Sequence, residues 1–532
     1  MKDIKKITLL FPPIPNGQWT WVILPSSGMA YLDAVLRDKF DVKIVDVNLL
    51  HPTTEFYEEY NKLKYPNTWK EIHPQILEKM IKIAEKTQPD VLGVGSWSFN
   101  MSFVMEFIRA FKARNPHIPL ILGGITPTHM PTEILQLSPY VDYIARGEGE
   151  YTLLELLEKL SLNKPVNKVR GISFRNKEGK IVHTADRPQI KKLDELPFFD
   201  YENFVGFKQW NSSPKMHFVN VMASRGCVGR CSFCSVAAFW GKQRFYSDEY
   251  VIGQIKYLLD LYDFAEDKIA WMDDNFVVSF SRTKRLLNKI HNKFPEYKQQ
   301  IVDMRIEGTH SGCTPQEFLN FAKKVNVEFM GLGMESLNSE SLAFMNKTIN
   351  PERYKKIVLK LINLGEKNEI RVYLSGIIGL PNETKKDMIR QANFFIDLFN
   401  KHKFAEYAFE PPCLHPGTKL WNDYLQGKIK VYRRPLQSAK SWHESLFSEK
   451  YNHLIWMEPN AYRIANTKMD AEEFEYVLYR LFRILVRLGN IARERQPRFF
   501  VERLEYNGSN LNKVFEESNN WPHYGFGEVL KI

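Results

Sequence analysis

The stretch Ser224-Arg225-Gly226-Cys227-Val228-Gly229-Arg230-Cys231-Ser232-Phe233-Cys234 holds three of the five cysteines of this 532-residue chain. It directly follows Phe218–Ala223, an apolar run typical of a buried strand. Thiolates are the usual ligands of iron–sulfur clusters, and a short cysteine loop lets one segment wrap a cubane. Because a cubane has four irons, three cysteine ligands leave one iron open to a small molecule. The stretch therefore predicts a [4Fe–4S] cluster on Cys227, Cys231 and Cys234.

The same cysteines could instead form a zinc loop or be structural thiols. Zinc favours four closed ligands from paired Cys-x-x-Cys elements, and this sequence has no second pair and no Cys/His knuckle. Cys313 or Cys413 could supply a fourth ligand, although neither lies in a recognisable motif. A secreted disulfide framework would scatter an even number of cysteines along a short chain, so this pattern favours a reduced compartment and a metal site.

A regular alternation of strand and helix signals continues after the cysteine loop. The predicted strands are Lys268–Asp273, Ile301–Ile306, Val327–Met334, Arg371–Ile378 and Phe404–Glu410. The predicted helices between them include Asp248–Leu261, Arg282–Lys293 and Pro351–Leu364. With the strand that ends at Ala223, this series predicts a partial (β/α)6 barrel over residues 211–425, with its chemistry at the carboxyl ends of the strands.

Residues 1–165 show a separate alternation that predicts a doubly wound, Rossmann-like α/β domain. Its predicted strands are Ile7–Phe11, Val42–Val47, Val91–Gly95, Leu120–Gly124 and Val141–Ala145. Helical spacing covers Gly28–Leu36, Ile76–Lys86, Phe103–Ala113 and Thr152–Leu160. A ligand of such a sheet binds beyond the carboxyl ends of the strands, where glycine allows close approach to the backbone.

Two further regions complete the predicted organisation. Residues 166–210 should form a hairpin, Gly171–Arg175 with Lys180–His183, and then a linker, Asp194–Phe204, packed against both neighbours. Residues 426–532 should form a mainly α extension that caps the barrel or helps to bind substrate. Within it, the apolar stripe of Glu472–Arg487 predicts a helix packed on the barrel mouth. The arginines of that helix could alternatively face anionic lipid or substrate.

The C-x3-C-x-aromatic-C loop at a barrel strand end resembles the radical S-adenosylmethionine (SAM) superfamily. Further segments match that family's barrel in order, namely Trp271–Phe276 (WMDDNF), Gly333–Ser336 (GMES), Met345–Lys347 (MNK), Ser375–Thr384 (SGIIGLPNET) and Pro416–Thr418 (PGT). The resemblance covers residues 215–425. It implies that the amino and carboxylate groups of SAM chelate the open iron. The reduced cluster would then cleave SAM to methionine and a 5′-deoxyadenosyl radical.

The resemblance also implies which residues contact SAM. Those residues are Phe233, Asp273, Asp274, Glu335, Ser375 and Ile378. Phe233 would lie near the adenine, the two aspartates would approach the amino acid end, and Glu335 would lie near the ribose. Asp273, Asp274 and Glu335 could instead cap helices.

The first domain resembles the cobalamin-binding domain that precedes the barrel in one large radical SAM class. The matching segments are Pro89–Ser96 (PDVLGVGS), Leu122–Pro127 (LGGITP) and Val141–Glu150 (VDYIARGEGE). The resemblance implies that the corrin and its nucleotide tail lie against the glycines at the strand ends. The residues predicted on this basis to bind cobalamin are Ser96, Trp97, Gly123, Gly124, Thr126, Gly147 and Glu148. Trp97 could cover the lower corrin face or be a packed interface aromatic.

The axial histidine of many cobalamin domains is missing. None of the 13 histidines has Asp two residues before it, as an Asp-x-His-x-x-Gly motif requires. The resemblance then implies cobalamin held without histidine ligation, which would change the reactivity of the cobalt. Alternatively, the domain keeps the fold without binding cobalamin and acts as a scaffold or substrate lid.

Composition and charge exclude several classes of partner. The net charge is +11, but the 73 basic residues are spread among 62 acidic ones and form no basic block, so we expect no nucleic-acid partner. The apolar runs are far too short to span a membrane, and we expect no association with a membrane surface. The N-terminus has no signal-peptide pattern, so we expect a cytoplasmic location.

The leading functional hypothesis is cobalamin-dependent methylation of an unactivated carbon of a small-molecule substrate. One SAM would remake methylcobalamin and a second would give the radical, with electrons from a reductant such as flavodoxin or ferredoxin. Cyclisation or rearrangement without methyl transfer is the alternative, because Cys231–Gly241 (CSFCSVAAFWG) resembles the anaerobic magnesium-protoporphyrin ester cyclase group. An iron–sulfur electron-transfer or binding protein is a third class, which Glu335 and Ser375 argue against. The sequence identifies no substrate and no catalytic acid or base.

Replacing Cys231 with Ala should abolish cluster binding and SAM cleavage, because the cubane loses one of its three ligands. The measurement is iron and sulfide content after anaerobic reconstitution, together with 5′-deoxyadenosine formed under strong reductant. Cys413→Ala is the matched control and should keep both. Equal iron content and equal SAM cleavage in C231A and wild type would contradict the cluster assignment.

Overall fold

The computed structural model describes residues 4–12, 24–47, 49, 69–211, 218–304, 313–348, 350–402, 404–433, 462–471, 473–474, 477–478 and 481. Two predicted features lie partly outside these residues. They are the end of the strand predicted at Ile301–Ile306, and the C-terminal helix beyond Leu481 together with its arginines.

The first sheet has seven strands. Their bounds are β1 Lys6–Phe11, β2 Asp41–Asp46, β3 Val91–Gly95, β4 Leu120–Gly123, β5 Tyr143–Ala145, β6 Ile172–Arg175 and β7 Ile181–His183. The helices are α1 Ser27–Leu36, α2 Trp69–Lys86, α3 Met101–Arg114, α4 Ile125–His129, α5 Pro131–Leu137 and α6 Gly149–Ser161. Near-continuous apolar runs such as Val91–Val94 suit strands that helices cover on both faces.

The strand order is β2-β1-β3-β4-β5-β6-β7. The first five strands pair in parallel, which confirms the predicted doubly wound domain. The predicted hairpin, β6–β7, pairs antiparallel with β5 and so extends this sheet, whereas the predicted boundary at residue 165 separates the two. The strand order reverses between β1 and β3, and a ligand cleft is expected beyond the carboxyl ends of these strands.

The second sheet contains six parallel strands. Their bounds are β8 Val219–Val221, β11 Lys268–Trp271, β12 Lys298–Met304, β13 Val327–Glu335, β14 Arg371–Ile377 and β15 Ala405–Glu410. Between β8 and β11 lies a small antiparallel pair, β9 Ser224–Arg225 and β10 Arg244–Phe245. The order is β15-β14-β13-β12-β11-β8, so within the described part of the chain β8 and β15 are the open edges. This confirms the predicted partial barrel.

Helices follow the barrel strands. The described helices from the linker onward are α7 Phe207–Asn211, α8 Val236–Trp240, α9 Asp248–Leu261, α10 Phe280–Lys293, α11 Pro315–Lys324, α12 Ser339–Phe344, α13 Pro351–Asn368, α14 Lys385–Lys401 and α15 Lys419–Leu425. Several begin at side-chain caps that the sequence displays, such as Ser247, Thr314 and Thr384. The turns that lead from each strand into the next helix therefore form the loops at the carboxyl edge of the barrel sheet.

The linker Asp194–Phe204 joins the two sheets through backbone and side-chain contacts. On one side, the Ile44 N–H of β2 donates to Asn203 O at 2.9 Å. On the other, the Phe199 N–H donates to Gln254 Oε1 of α9 at 3.0 Å. Phe199 and Tyr201 are fully buried in an apolar cluster that includes residues of both sheets. The linker thus packs against both neighbours, as predicted.

The described part of the C-terminal extension covers the barrel mouth. Two short strands, β16 Val431–Arg433 and β17 Tyr462–Ile464, pair antiparallel, so the extension is not helical throughout. Thr467 N–H donates to Pro381 O at 2.7 Å, and the Phe474 ring packs directly on Gly379. Further along, Leu478 is buried in the barrel core. The predicted packing of the apolar stripe on the barrel is confirmed for these residues.

Gly124 should be intolerant of any side chain. Its backbone angles, φ 110° and ψ −172°, are essentially restricted to glycine, and an added Cβ would lie 2.3 Å from Ser96 O. Gly124→Ala should therefore lower the free energy of unfolding by about 3 kcal/mol or more, combining backbone strain with overpacking. Denaturant unfolding measures this change.

The matched control for this prediction is Gly179→Ala in the β6–β7 turn. Its φ is 77°, but an added Cβ would meet nothing within 4 Å. The expected loss there is only about 1 kcal/mol. Equal losses in the two variants would contradict the steric argument at Gly124.

Candidate cofactor and active site

The cysteine loop is held at its start by the two aspartates predicted to approach SAM. Asp273 Oδ2 accepts the Ala223 N–H at 2.9 Å, and Asp273 Oδ1 accepts the Ser224 hydroxyl. Asp274 Oδ2 accepts the Gly226 N–H at 3.1 Å. Burial raises the pKa of both carboxyl groups to about 6. The aspartates therefore anchor the loop that follows β8, and their contact with SAM stays a prediction.

The part of the loop around Cys231 is anchored by residues that follow β13 and β15, the fourth and sixth strands of the barrel. Ser232 N–H donates to Met345 O at 2.8 Å, and Ser232 O accepts the Leu420 N–H at 2.9 Å. Asn346 Nδ2 donates to Arg230 O at 2.8 Å. These contacts explain the Met345–Lys347 motif as a support for the loop.

The thiols themselves are suited to a polynuclear metal group. None of the five cysteines forms a disulfide. Burial raises the pKa of the Cys234 thiol to about 12, so its thiolate needs nearby positive charge. Across the part of the chain that the structure describes, no three His, Cys, Asp or Glu side chains surround a single metal ion. A four-iron cluster, three of whose irons each bind one thiolate, fits this loop better than one zinc ion.

Glu335 forms a buried ion pair at the carboxyl end of β13. Its Oε1 accepts from Lys347 Nζ at 2.9 Å, and both side chains are less than a tenth exposed. Its φ of 64° is rare for a residue with a side chain, and it lies at a bulge in the pairing with β14. A Cβ on Gly333 would lie 2.4 Å from Glu335 Oε1, which explains the glycine in the Gly-Met-Glu-Ser motif. Strained backbone of this kind clusters at functional sites.

A buried polar network joins the ends of β13 and β14. Glu383 Oε2 accepts the Gly379 and Leu380 N–H groups at 2.9 and 3.1 Å. Glu383 Oε1 accepts the hydroxyls of Ser336 and Ser341 at 3.0 and 3.1 Å. Burial raises the pKa of Glu383, while these donors favour its carboxylate form. The network sets the shape of the Gly-Leu-Pro-x-Glu-Thr turn.

Gln391 of α14 completes this network and lies outside the family motifs of the sequence. Its Nε2 donates to Glu335 O at 3.1 Å and to Ile377 O at 2.8 Å. Gln391 is buried and lies one turn before the buried Phe395. A polar residue on the apolar face of the amphipathic pattern of Lys385–Lys401 is the signal that could have identified it.

The other predicted SAM residues lie in different surroundings. Ser375 pairs with Gly333 across β13–β14 and is half-buried. Ile378 is fully buried in the apolar core. Phe233 is partly buried and packs against two apolar clusters, one with residues of both sheets and one with residues of the first sheet and of the segment after β15. Their contacts with SAM stay predictions.

Two atoms near the cysteine loop suit a polar ligand. Gln243 Oε1 and Arg282 NH1 are buried and have no hydrogen-bond partner among the described residues. Both side chains are tied to the loop, since Gln243 Nε2 donates to Ser224 Oγ at 3.1 Å and Arg282 NH2 donates to Ala223 O at 2.8 Å. A zwitterionic ligand such as SAM carries groups that could satisfy them.

The predicted cobalamin residues meet at the carboxyl edge of the first sheet. Ser96 N–H donates to Gly123 O at 2.9 Å, and Gly124 packs on Ser96. An added Cβ at Gly147, whose φ is 73°, would meet nothing within 4 Å. Trp97 is 38% exposed and lies edge-on to Phe11. Among the described residues, this edge therefore leaves room for a ligand beside Gly147 and Trp97.

Two buried polar atoms at this edge also fit a ligand with polar groups. Thr126 Oγ1 and His129 Nε2 have no hydrogen-bond partner in the ranges that the structure describes. Thr126 is fully buried, and burial lowers the pKa of His129. The amide-rich periphery of cobalamin carries groups that could pair with both atoms.

Glu148 has a different environment from the other predicted cobalamin residues. It is buried and forms ion pairs with Arg225 at 2.9 Å and Arg244 at 2.8 Å, and it also accepts the Ile190 N–H at 2.8 Å. Glu150 pairs with Arg225 at 2.7 Å. The Glu148 side chain therefore contacts the barrel domain, and the contact of Glu148 with cobalamin stays a prediction.

The carboxyl edges of both sheets meet at the turn after β15. Ser98 Oγ lies 2.7 Å from His415 Nδ1, and an added Cβ on Gly417 would lie 2.6 Å from the His129 ring. Burial lowers the pKa of His415 to about 4, so the imidazole is neutral at pH 7. Neither histidine belongs to a motif that the sequence displays. Their positions bring the two predicted cofactor regions to one interface.

Comparison with known proteins agrees with these domains. One family model, the B12 binding domain, matches residues 22–157, and another, the radical SAM superfamily, matches residues 221–395. An uncharacterized methyltransferase of Pyrococcus horikoshii is 27% identical over 79% of this chain and 83% of its own. The anaerobic magnesium-protoporphyrin IX monomethyl ester cyclase of Rubrivivax gelatinosus is 25% identical over 68% of this chain and 67% of its own.

A solved structure has the same fold. The radical SAM methyltransferase TsrM of Kitasatospora setae, solved with cobalamin and a [4Fe–4S] cluster, matches with a TM-score of 0.63 at 15% identity. The match covers 90% of this chain and 91% of that one.

Fold and site together define a radical SAM enzyme that carries a B12-binding domain before its barrel. Within that class, the chain is homologous to cobalamin-dependent radical SAM methyltransferases and to the magnesium-protoporphyrin cyclase group. The cofactors of these domains are a [4Fe–4S] cluster, SAM and cobalamin, as the sequence predicts. No helix in the described ranges is long and apolar enough to cross a membrane.

Removal of the Glu383 side chain should destabilise the barrel. Glu383→Ala leaves two buried N–H groups without an acceptor and removes one of the acceptors of two hydroxyls, so the free energy of unfolding should fall by about 3 kcal/mol. Glu383→Gln should retain most stability, because one amide oxygen can accept both N–H groups while the hydroxyls accept from the amide nitrogen. Denaturant unfolding measures both variants.

Exposed Glu352 provides the control, since it forms a surface ion pair with Lys355. Glu352→Ala should leave the unfolding midpoint unchanged. A loss in E383A no larger than in E352A would show that the network does not stabilise the turn.

Proposed function

We propose that this enzyme methylates an unactivated carbon of a small-molecule substrate, using SAM and cobalamin. The observation that carries the proposal is the contact of the two carboxyl edges through Ser98–His415 and His129–Gly417. Substrate held there would lie between the SAM side of the barrel and the open edge of the first sheet. Placing reacting groups together in this way can supply several kcal/mol of the barrier.

Residues of this chain would bind and orient the cofactors. Cys227, Cys231 and Cys234 would ligate the cluster on a loop that Asp273 and Asp274 hold in place. When bound, SAM and the cluster supply a carbon-centred radical, and cobalamin supplies the methyl group. Neutral His415, at the interface, could orient a polar group of the substrate.

The names of several relatives support methyl transfer. The Pyrococcus relative is described as a methyltransferase, and so is TsrM. Both matches span most of this chain, including both domains. Reductive cleavage of SAM requires an electron donor, and we propose a flavodoxin- or ferredoxin-type reductant.

Cyclisation or rearrangement without methyl transfer is the second candidate. Its support is the similarity to the Rubrivivax cyclase over about two thirds of both chains. The Cys231–Gly241 run adds to it, since this run resembles that group. The two candidates share the cluster and the SAM site and differ in the fate of the methyl group.

Product analysis distinguishes these functions. The protein is reconstituted anaerobically, loaded with hydroxocobalamin, desalted and incubated with SAM, candidate substrates and a strong reductant. We expect retained corrin absorbance and formation of both 5′-deoxyadenosine and S-adenosylhomocysteine. Deoxyadenosine without S-adenosylhomocysteine would favour cyclisation or rearrangement. Absence of SAM cleavage by cluster-loaded protein would favour an electron-transfer or binding protein.

A further inference from the structure

The loop that holds the three cysteines is closed at its base by two short paired strands, β9 and β10, which we call the neck of the cluster loop. Strands β9 and β10 pair antiparallel, with Arg225 opposite Arg244 and Ser224 opposite Phe245. All three cluster cysteines lie in the loop between these strands. The neck therefore sets two cationic side chains against each other, and like charges directly opposite in a strand pair are destabilising.

A carboxylate from the other domain offsets this repulsion. Glu148 Oε1 lies 2.9 Å from Arg225 NH1, and Glu148 Oε2 lies 2.8 Å from Arg244 NH1. Glu150 Oε1 lies 2.7 Å from Arg225 NH2. The Arg225, Glu148 and Glu150 side chains are 2%, 6% and 7% exposed. Water therefore screens these pairs poorly, and they are the main compensation for the buried cations.

The guanidinium of Arg225 is also held by aromatic rings. It lies 4.9 Å from the centroid of Tyr31 in α1 and 5.4 Å from that of Trp240 in α8. Trp240 in turn packs against the loop, because an added Cβ on Gly226 would lie 3.0 Å from Trp240 Cβ. Arg225 therefore has one well-defined orientation, two residues before the first cluster cysteine.

Nothing else in the described surroundings replaces Glu148. Arg244 Nε and NH2 are buried without a hydrogen-bond partner among the described residues, and its NH1 has only Glu148 and Ile190 O. Loss of Glu148 would leave Arg244 without a counter-ion and would reopen the Arg225–Arg244 repulsion. Strands β9 and β10 would then separate or twist, and the cysteines in the loop between them would move.

We propose that Glu148 and Glu150 are positioning residues of the iron–sulfur site, acting through Arg225 and Arg244 to close the neck of the cluster loop. The Arg-Gly-Glu-Gly-Glu segment of the B12-binding domain thus serves the barrel. Gly147, at the open edge of the first sheet, is bonded directly to Glu148, so the segment physically links the two cofactor regions. The inference rests on the cluster cysteines and does not require methyl transfer.

The test uses full-length Glu148→Gln, Arg225→Met and Arg225→Lys proteins. Each is reconstituted anaerobically, and three properties are measured: iron and sulfide content, the electron paramagnetic resonance spectrum of the reduced cluster during SAM titration, and the thermal unfolding midpoint. Glu155→Gln is the matched control, because it removes an ion pair of α6, with Arg187, that involves neither Arg225 nor Arg244.

We expect Glu148→Gln and Arg225→Met to bind iron but to need about tenfold more SAM for the half-maximal spectral change, as loss of an outer-shell support commonly causes. Arg225→Lys should recover only part of the affinity, because an ammonium cannot pair with both carboxylates as the guanidinium fork does. Glu155→Gln should titrate like wild type. The double variant with Glu148→Gln and Arg225→Met should be no worse than the poorer single variant, since both changes break one network.

The proposal would be overturned if folded Glu148→Gln and Arg225→Lys proteins bound as much iron as wild type and needed no more SAM for the half-maximal spectral change. A lowered unfolding midpoint with unchanged SAM titration would also overturn it, because that pattern shows a structural role alone. If Arg225→Met fails to fold, the comparison of Arg225→Lys with Glu155→Gln decides. These outcomes are independent of the reaction products, so failure of methyl transfer would leave the inference intact.

Discussion

The buried guanidinium of Arg225 requires negative charge that the barrel itself does not supply at that point. Glu148 and Glu150 supply it from the first domain. Breaking a buried ion pair from one side costs about 3–5 kcal/mol, because it leaves an uncompensated charge. The start of the cysteine loop is therefore tied, through Arg225, to the docking of the two domains.

Buried charges are also compensated by nearby partners at the carboxyl ends of the barrel strands. Asp273, Glu335 and Glu383 are all buried acidic residues, and each is satisfied by backbone N–H groups, hydroxyls or Lys347. Such groups are costly to bury unless every donor and acceptor finds its partner. The family motifs at these positions thus maintain the shape of the loops, in addition to any direct contact with SAM. Conformational precision at these loops is what a radical reaction needs, because the reacting atoms must lie close together and water must be kept away.

The domain interface has a second contact region around the turn that follows the sixth barrel strand. Ser98, His129, His415 and Gly417 bring the open edges of both sheets together there. The interface therefore has two different parts: a buried charged one behind the cluster loop, and a mostly neutral one facing the predicted cofactor edges. A neutral imidazole there avoids placing an uncompensated charge beside a carbon-centred reaction.

The sequence by itself determined many of the elements and predicted the cluster ligands. Apolar-rich segments identified β3, β4, β13 and β14 almost to the residue, because the strands of a helix-covered sheet carry many buried apolar side chains. The spacing of Cys227, Cys231 and Cys234 predicts the metal chemistry, since those residues are local in the chain. Only the tertiary structure decided the partners of Glu148, Arg244, Gln391 and His415. Their partners lie tens to hundreds of residues away, and one-dimensional patterns carry no signal for a pairing that docking of two domains creates.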